Sequence, residues 1–209
     1  TSNDGGGNFS SASTIVSDPV YDCRNVSGGV APNGRIILFY MRYIFGSALS
    51  FDQGYIYSND EGVTWSSYTV LPHGSHTFFS PYGNMISIGN GKIQANWYGE
   101  TPATPTYSSY VITSTDNGLT WGSAIAVVTS ASIRYGEASY AYLDGGVIIG
   151  HMRNSLGSPL YQFKSVDNGA TWTAQGQTTV DTGGQVSPDL ITYIDPNNNK
   201  YIASFYANR

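Results

Sequence analysis

Apolar and polar positions along the chain follow strand rules throughout. Residues 36–41 (IILFYM) are apolar without a break, which suits a strand covered on both faces. Residues 54–57 (GYIY), 110–113 (YVIT) and 160–164 (LYQFK) are short, aromatic and β-branched runs. Each of them ends in a polar turn phrase, as the arms of a hairpin do. No window carries a helical stripe with caps. The pattern predicts an all-β chain.

The turn phrases are copies of one another. Residues 58–65 (SNDEGVTW), 114–121 (STDNGLTW) and 165–172 (SVDNGATW) are three clean copies, and residues 2–9 (SNDGGGNF) are a worn one. Their closing aromatics fall at 9, 65, 121 and 172, in steps of 56, 56 and 51 residues. A fixed period near fifty marks a repeat architecture. Within the phrase, Ser and Asp can bond turn amides and Gly permits positive φ. Thr and Trp then resume extended structure, and Trp is large enough to fill a gap between sheets. Two further strand-like runs lie in each period, the second of them led by residues 35–42, 92–98, 147–153 and 200–206. Four strands per period, one doubly buried, describe a β-propeller blade.

The phrase resembles the Asp-box, S-x-D-x-G-x-T-W, of the sialidase-type propellers, and the resemblance runs the length of the chain. It implies a propeller of four-stranded antiparallel blades, six in the family, of which these residues hold about four blades' worth. The division expected is half a blade at 1–20, blades at about 21–72, 73–129 and 130–180, and half a blade at 181–209. A self-contained four-bladed ring is the alternative. In the family the boxes sit on the outer rim, so Asp60, Asp116 and Asp167 read as structural. Unpaired strand edges at both ends call for a partner, either the remainder of the same propeller or a second copy of the chain.

Only nine residues are Lys or Arg, so each arginine is informative. Glu137 opens the first strand of its blade and Arg153 ends the second, which puts both at one end of a meander. An arginine there offers a planar fork to a carboxylate, and a Glu beside it can act as a base or polarise a Tyr. The pair is similar to the sialidase Glu and the arginine that follows it about fifteen residues later in the fourth blade. The resemblance adds Arg209 as the next arginine of the carboxylate clasp, making Glu137, Arg153 and Arg209 the expected catalytic set. It places the tyrosine nucleophile and the acid in blades these residues do not supply, and it leaves open the phage endosialidases, which use a Glu and two arginines. Arg24, Arg42, Arg134, Tyr135 and Trp97 are the expected substrate-binding side chains, with Tyr43, Tyr98 and Tyr107 as further rings for a sugar floor. In another register, Arg24, Arg42 and Asp52 would be the opening-blade arginines and acid. The bland alternative is that arginine is a habit of the repeat, since Met41-Arg42 and Met152-Arg153 read as the same blade position.

Composition narrows the partner. Charged residues make up 11% of the chain, the net charge is −5, and no Lys/Arg cluster exists to neutralise phosphates, which excludes a nucleic-acid binder. No run approaches the eighteen apolar residues of a membrane span. Cys23 stands alone, so no internal disulfide is expected, and its reading is a small buried hydrophobe. His73, His76 and His151 lack metal-ligand spacing, so neither metal nor other cofactor is expected. Residues 8–10 and 25–27 are sequons that matter only in a secretory pathway. Abundant Tyr, Asn, Gly and Ser suggest a secreted glycan-active protein or a phage tail protein on a virion surface. The function expected is a glycoside hydrolase acting on sialic-acid-type or other acidic polysaccharide, exo or endo. The alternative is a propeller that binds carbohydrate or a receptor without cleaving it.

Overall fold

The computed structural model describes residues 1–45, 50–154, 157, 159–178 and 187–207. Among them are fifteen strands and no helix. In particular, no helix is long and apolar enough to cross a membrane.

The strands form four antiparallel sheets in chain order. The first holds β1 (Tyr21–Val30), β2 (Ile36–Ile44), β3 (Ser50–Ser58) and β4 (Thr69–Val70). The second holds β5 (Phe78–Pro81), β6 (Ile86–Ser87), β7 (Ile93–Thr101), β8 (Thr104–Ser114) and β9 (Ile125–Val128), with β5 and β6 both pairing β7. The third holds β10 (Tyr135–Asp144), β11 (Val147–Asn154), β12 (Tyr161–Ser165) and β13 (Thr173–Gln177). The fourth is the pair β14 (Asp189–Ile194) and β15 (Lys200–Phe205). Each sheet is a meander, and the first strands of successive sheets lie against each other, β1 on β5 and β10 on β6 and β14. That is the blade arrangement of a partial propeller. Residues 1–20 hold the first turn phrase and no strand.

The turn phrases build one structure four times. Ser58 Oγ donates to Asp60 Oδ1 at 2.7 Å and accepts from Gly62 N at 2.8 Å. Asp60 then accepts from Thr64 N at 2.9 Å and Thr64 Oγ1 at 2.6 Å. The turns at Ser114 and Ser165 repeat these bonds. In the worn copy Asn8 replaces Thr, donating its backbone N and its Nδ2 to Asp4 at 2.9 and 2.7 Å. The Thr64 hydroxyl and amide, followed by Ser58, hold the Asp60 carboxyl down at about 2. These aspartates are turn staples.

The boxes also join the sheets. Gly118, at φ 82°, lies so close to the first sheet that a Cβ would stand 2.0 Å from Ile37 Cδ1. Trp121 packs edge-on against Phe39 at 5.1 Å, and Arg35 Nη1 donates to Asn117 O at 2.9 Å. One core lies between the first two sheets (Ile37, Phe39, Tyr55, Ile93, Ala95, Ile112), and another between the second and third (Val111, Val127, Tyr140, Ile148, Met152, Phe163). Burying each of these larger side chains is worth about 1.5–3 kcal/mol.

Register fixes which way side chains face. The box serines pair with the starts of the second strands, Ser58 with Ile36, Ser114 with Ile93 and Ser165 with Ile148. Positions an even number beyond that pair (Ala95, Trp97, Met152) turn toward the preceding sheet, and odd ones (Ile37, Phe39) toward the following sheet. All three boxes sit at one end of the sheets. The opposite end, where Tyr21 pairs Ile44 and Tyr135 pairs Asn154, forms a mouth free of them.

Candidate functional site

Glu137 and Arg153 meet at the mouth. Tyr135 pairs Asn154 and Ala138 pairs Met152, so Gly136 and Glu137 together oppose the single residue Arg153. This is a β-bulge, a device that re-aims a side chain, and it turns the Glu137 carboxylate onto its cross-strand partner. Arg153 Nη1 donates to Glu137 Oε2 in a close ion pair. Ser187, two residues ahead of β14, donates its Oγ to the same oxygen at 2.7 Å. Both side chains keep a solvent-facing fraction, 20% for Glu137 and 24% for Arg153.

The second sheet supplies the wall. Tyr98 stands five residues beyond Ile93, as Arg153 does beyond Ile148, and so faces the third sheet. Its phenol is pushed up to about 12, by burial first, with the Glu137 carboxylate adding to it and a bond to Ser80 and the Arg153 charge opposing. It therefore stays protonated at neutral pH. Ser80 Oγ in turn accepts from Asn25 Nδ2 at 2.6 Å, which ties the first sheet to this wall. Asn25 itself sits in a bulge of β1, at φ 54°. Tyr98 contacts Tyr107 at 5.3 Å between ring centroids, Phe78 stacks on Tyr107 at 5.3 Å, and the Arg134 guanidinium lies 4.3 Å from the Tyr107 centroid.

Arg42 forms a separate centre. Its Nε donates to Asp52 Oδ1 at 2.7 Å and its Nη2 to Asp52 Oδ2, while the rings of Tyr21 and Tyr68 lie 4.5 and 4.3 Å from its guanidinium carbon. Tyr68 Oη donates to Asp52 Oδ1 at 2.9 Å. Arg24 is paired with Asp22 at 2.6 Å, lies 4.9 Å from the Tyr43 ring, and is 54% exposed. Arg42 and Asp52, the residues of the other register, are thus brought together in the first sheet.

Two expectations need correction. Trp97 and Tyr135 are not a sugar floor. Trp97 is 3% exposed, stacked on Tyr110 at 4.7 Å, and Tyr135 is 6% exposed, packed against Tyr161 and Phe163. A ring buried this far has no face left for a ligand. Nor is arginine a habit of the repeat. Arg42 stands six residues beyond Ile36 and Arg153 five beyond Ile148, so the two side chains leave opposite faces of their sheets. Arg209 lies outside the described residues. Sequence reasoning missed Ser187 altogether and the bulge that aims Glu137, although the Gly before Glu137 was a signal for a bulge. His73 and His76 pack against Phe79, Trp97 and Tyr110. No group of three metal-ligating side chains occurs among the described residues.

Comparison with known proteins agrees with this architecture. The pattern described as a BNR repeat-like domain matches residues 1–203. A Dyadobacter fermentans protein titled as of unknown function superposes with a TM-score of 0.73 at 21% identity, covering 93% of this chain and 63% of its own. The Hadza microbial sialidase Hz136 superposes with a TM-score of 0.71 at 18% identity, covering 86% and 39%. The Penicillium chrysogenum α-L-arabinanase, solved with arabinobiose, superposes with a TM-score of 0.60 at 16% identity, covering 84% and 56%. The chain therefore spans less than two thirds of these structures, and at such identities the likeness establishes the fold alone. No curated protein matches the sequence.

Proposed function

Because the chain belongs to the BNR repeat-like family, we propose that its mouth is the site of a glycan-active propeller that cleaves an acidic glycan. The observation that carries this reading is the bulged Glu137 carboxylate facing Arg153, with Ser187, ahead of β14, donating to the same oxygen. Arg153 offers its fork to an acidic group of the substrate. Glu137, displaced from that ion pair, takes the proton of the attacking hydroxyl as the hydroxyl oxygen bonds the anomeric carbon and the glycosidic C–O bond breaks, the leaving oxygen taking a proton from solvent. Tyr98, kept neutral, donates a hydrogen bond at the wall. Arg209 is the proposed second clamp. The blade division at 21–72, 73–129 and 130–180 and a place outside the cell or on a virion belong to the same proposal.

The test is turnover of sialosides and of acidic polysaccharides by the full-length protein. Glu137→Gln should lower kcat/KM by about 10²–10⁴-fold, the range of a lost general base. Arg153→Ala should weaken binding of the acidic substrate and leave neutral analogues untouched. Unchanged turnover in both variants sinks the reading. Binding without cleavage is the second reading, favoured by the ion pair that engages the Glu137 carboxylate. It predicts saturable glycan binding with no product released.

A further inference from the structure

Resting on the reading above, we propose that Arg134, laid on the Tyr107 ring, is a second anion subsite beside the Glu137–Arg153 centre. The substrate is then a polyanionic polysaccharide with acidic groups on neighbouring sugars, not a glycan with one terminal acid.

Arg134 precedes Tyr135, at the mouth end of β10, and Tyr107 lies at the mouth end of β8. The two meet because the strands' approaches are stitched together. Thr106 Oγ1 donates to Ser130 O, and Ser130 Oγ accepts from Ser132 N at 3.1 Å and Ile133 N at 2.9 Å. That turn sets the backbone just ahead of Arg134. The guanidinium carbon then rests 4.3 Å from the Tyr107 centroid, so the fork is held before any ligand arrives.

What the fork lacks is an acceptor. Arg24, Arg35, Arg42 and Arg153 each donate to a carboxylate, an amide oxygen or a backbone carbonyl. Arg134 makes no ion pair or hydrogen bond among the described residues, and its Nε is buried with no partner. Glu100, on β7 opposite Phe78, forms no ion pair with it. A desolvated guanidinium N–H without an acceptor is costly, and a ligand carboxylate or sulfate removes the cost. The subsite is also contiguous with the first. Tyr107 touches Tyr98, and the Tyr98 phenol lies in the field of both Glu137 and Arg153. A plain packing role for Arg134 accounts for the ring contact but not for the orphaned Nε.

The experiment is calorimetric binding to the full-length protein of monomer and tetramer pairs: N-acetylneuraminic acid with tetrasialic acid, galacturonic acid with tetragalacturonic acid. Maltotetraose is the neutral control. The wild type should bind one acidic tetramer about tenfold or more above its monomer, as one additional charge-assisted contact gives. Arg134→Met should bring that ratio close to one, and Arg134→Lys should restore part of it. Equal affinity of the wild type for monomer and tetramer overturns the second subsite and leaves the first centre standing. A ratio unmoved in Arg134→Met, with only the melting temperature lowered, assigns Arg134 to packing and also overturns it. Failure of every acidic sugar to bind the wild type overturns the reading of the mouth and this inference with it.

Discussion

Two of the arginine–carboxylate pairs at the mouth end of the molecule are built differently. Arg42 and Asp52 stand directly opposite each other on β2 and β3, joined by two bonds, with Tyr68 adding a third to Asp52 and aromatic rings beside the guanidinium. Asp52 is 5% exposed. Arg153 and Glu137 meet only because a bulge turns one toward the other, and a serine from the segment leading into β14 completes the contact. The first pair is closed by its own sheet. The second is more open, draws on the segment leading into β14 as well as the third sheet, and shares its carboxylate oxygen. A pair held by three bonds to a buried carboxylate gives up its partner at a higher cost. A pair on a bulge can exchange its partner for a ligand.

The largest effect that could break this contrast is on stability. Asp52→Ala leaves a largely buried guanidinium without its carboxylate and should cost about 3–5 kcal/mol of unfolding free energy, read from urea titration. Glu137→Gln keeps the shape and a hydrogen-bonding oxygen, sits in a wetter place, and should cost below about 1 kcal/mol. Equal losses in the two variants would erase the distinction between a structural pair and a functional one.

How much of this was legible in the chain follows from the same contrast. The box period places every sheet, because Ser58, Ser114 and Ser165 repeat one local bonding pattern that needs no distant partner. Counting from a box serine also gives the facing of a residue. Trp97 stands four beyond Ile93 as Met152 stands four beyond Ile148, and that parity buries both. The expectation of Trp97 as a sugar platform rested on residue type, which says nothing of facing. The approach of Glu137 to Arg153 was readable from meander geometry. Ser187 was not, because its contact joins residues fifty apart through the packing of whole sheets, with no local pattern to announce it. Arg134 was readable as a cation at the mouth, but its missing acceptor depends on what surrounds it in three dimensions.

A smaller effect sharpens the open pair. Ser187→Ala removes one donor to the carboxylate and should lower kcat about three- to tenfold, the size of one hydrogen bond, while KM holds. Ser187→Thr, keeping the hydroxyl, should recover most of it. A change in KM alone would mean that Ser187 contacts substrate and does not position Glu137.

The smallest effect is silent at neutral pH. Each pair has a phenol beside it, the buried Tyr98 near Glu137 and the half-buried Tyr68 against Asp52. Burial pushes both up, Tyr98 to about 12 and Tyr68 further, with the Asp52 carboxylate adding to the burial. In the unfolded chain a phenol loses its proton near pH 10. Below that pH both states are neutral and the contribution is fully present. Above it the unfolded state ionises while the fold still holds the neutral form, so stability falls as pH rises toward 12, by at most about 1.4 kcal/mol per pH unit for each group. Denaturant titrations from pH 8 to 11.5 should therefore show a loss beginning near pH 10. Tyr98→Phe and Tyr68→Phe should each flatten that slope by a similar amount, because both folded phenols stay neutral over this range. If Tyr98→Phe left the slope unchanged, burial would not be holding the phenol neutral beside Glu137, and the wall assigned to it would fail.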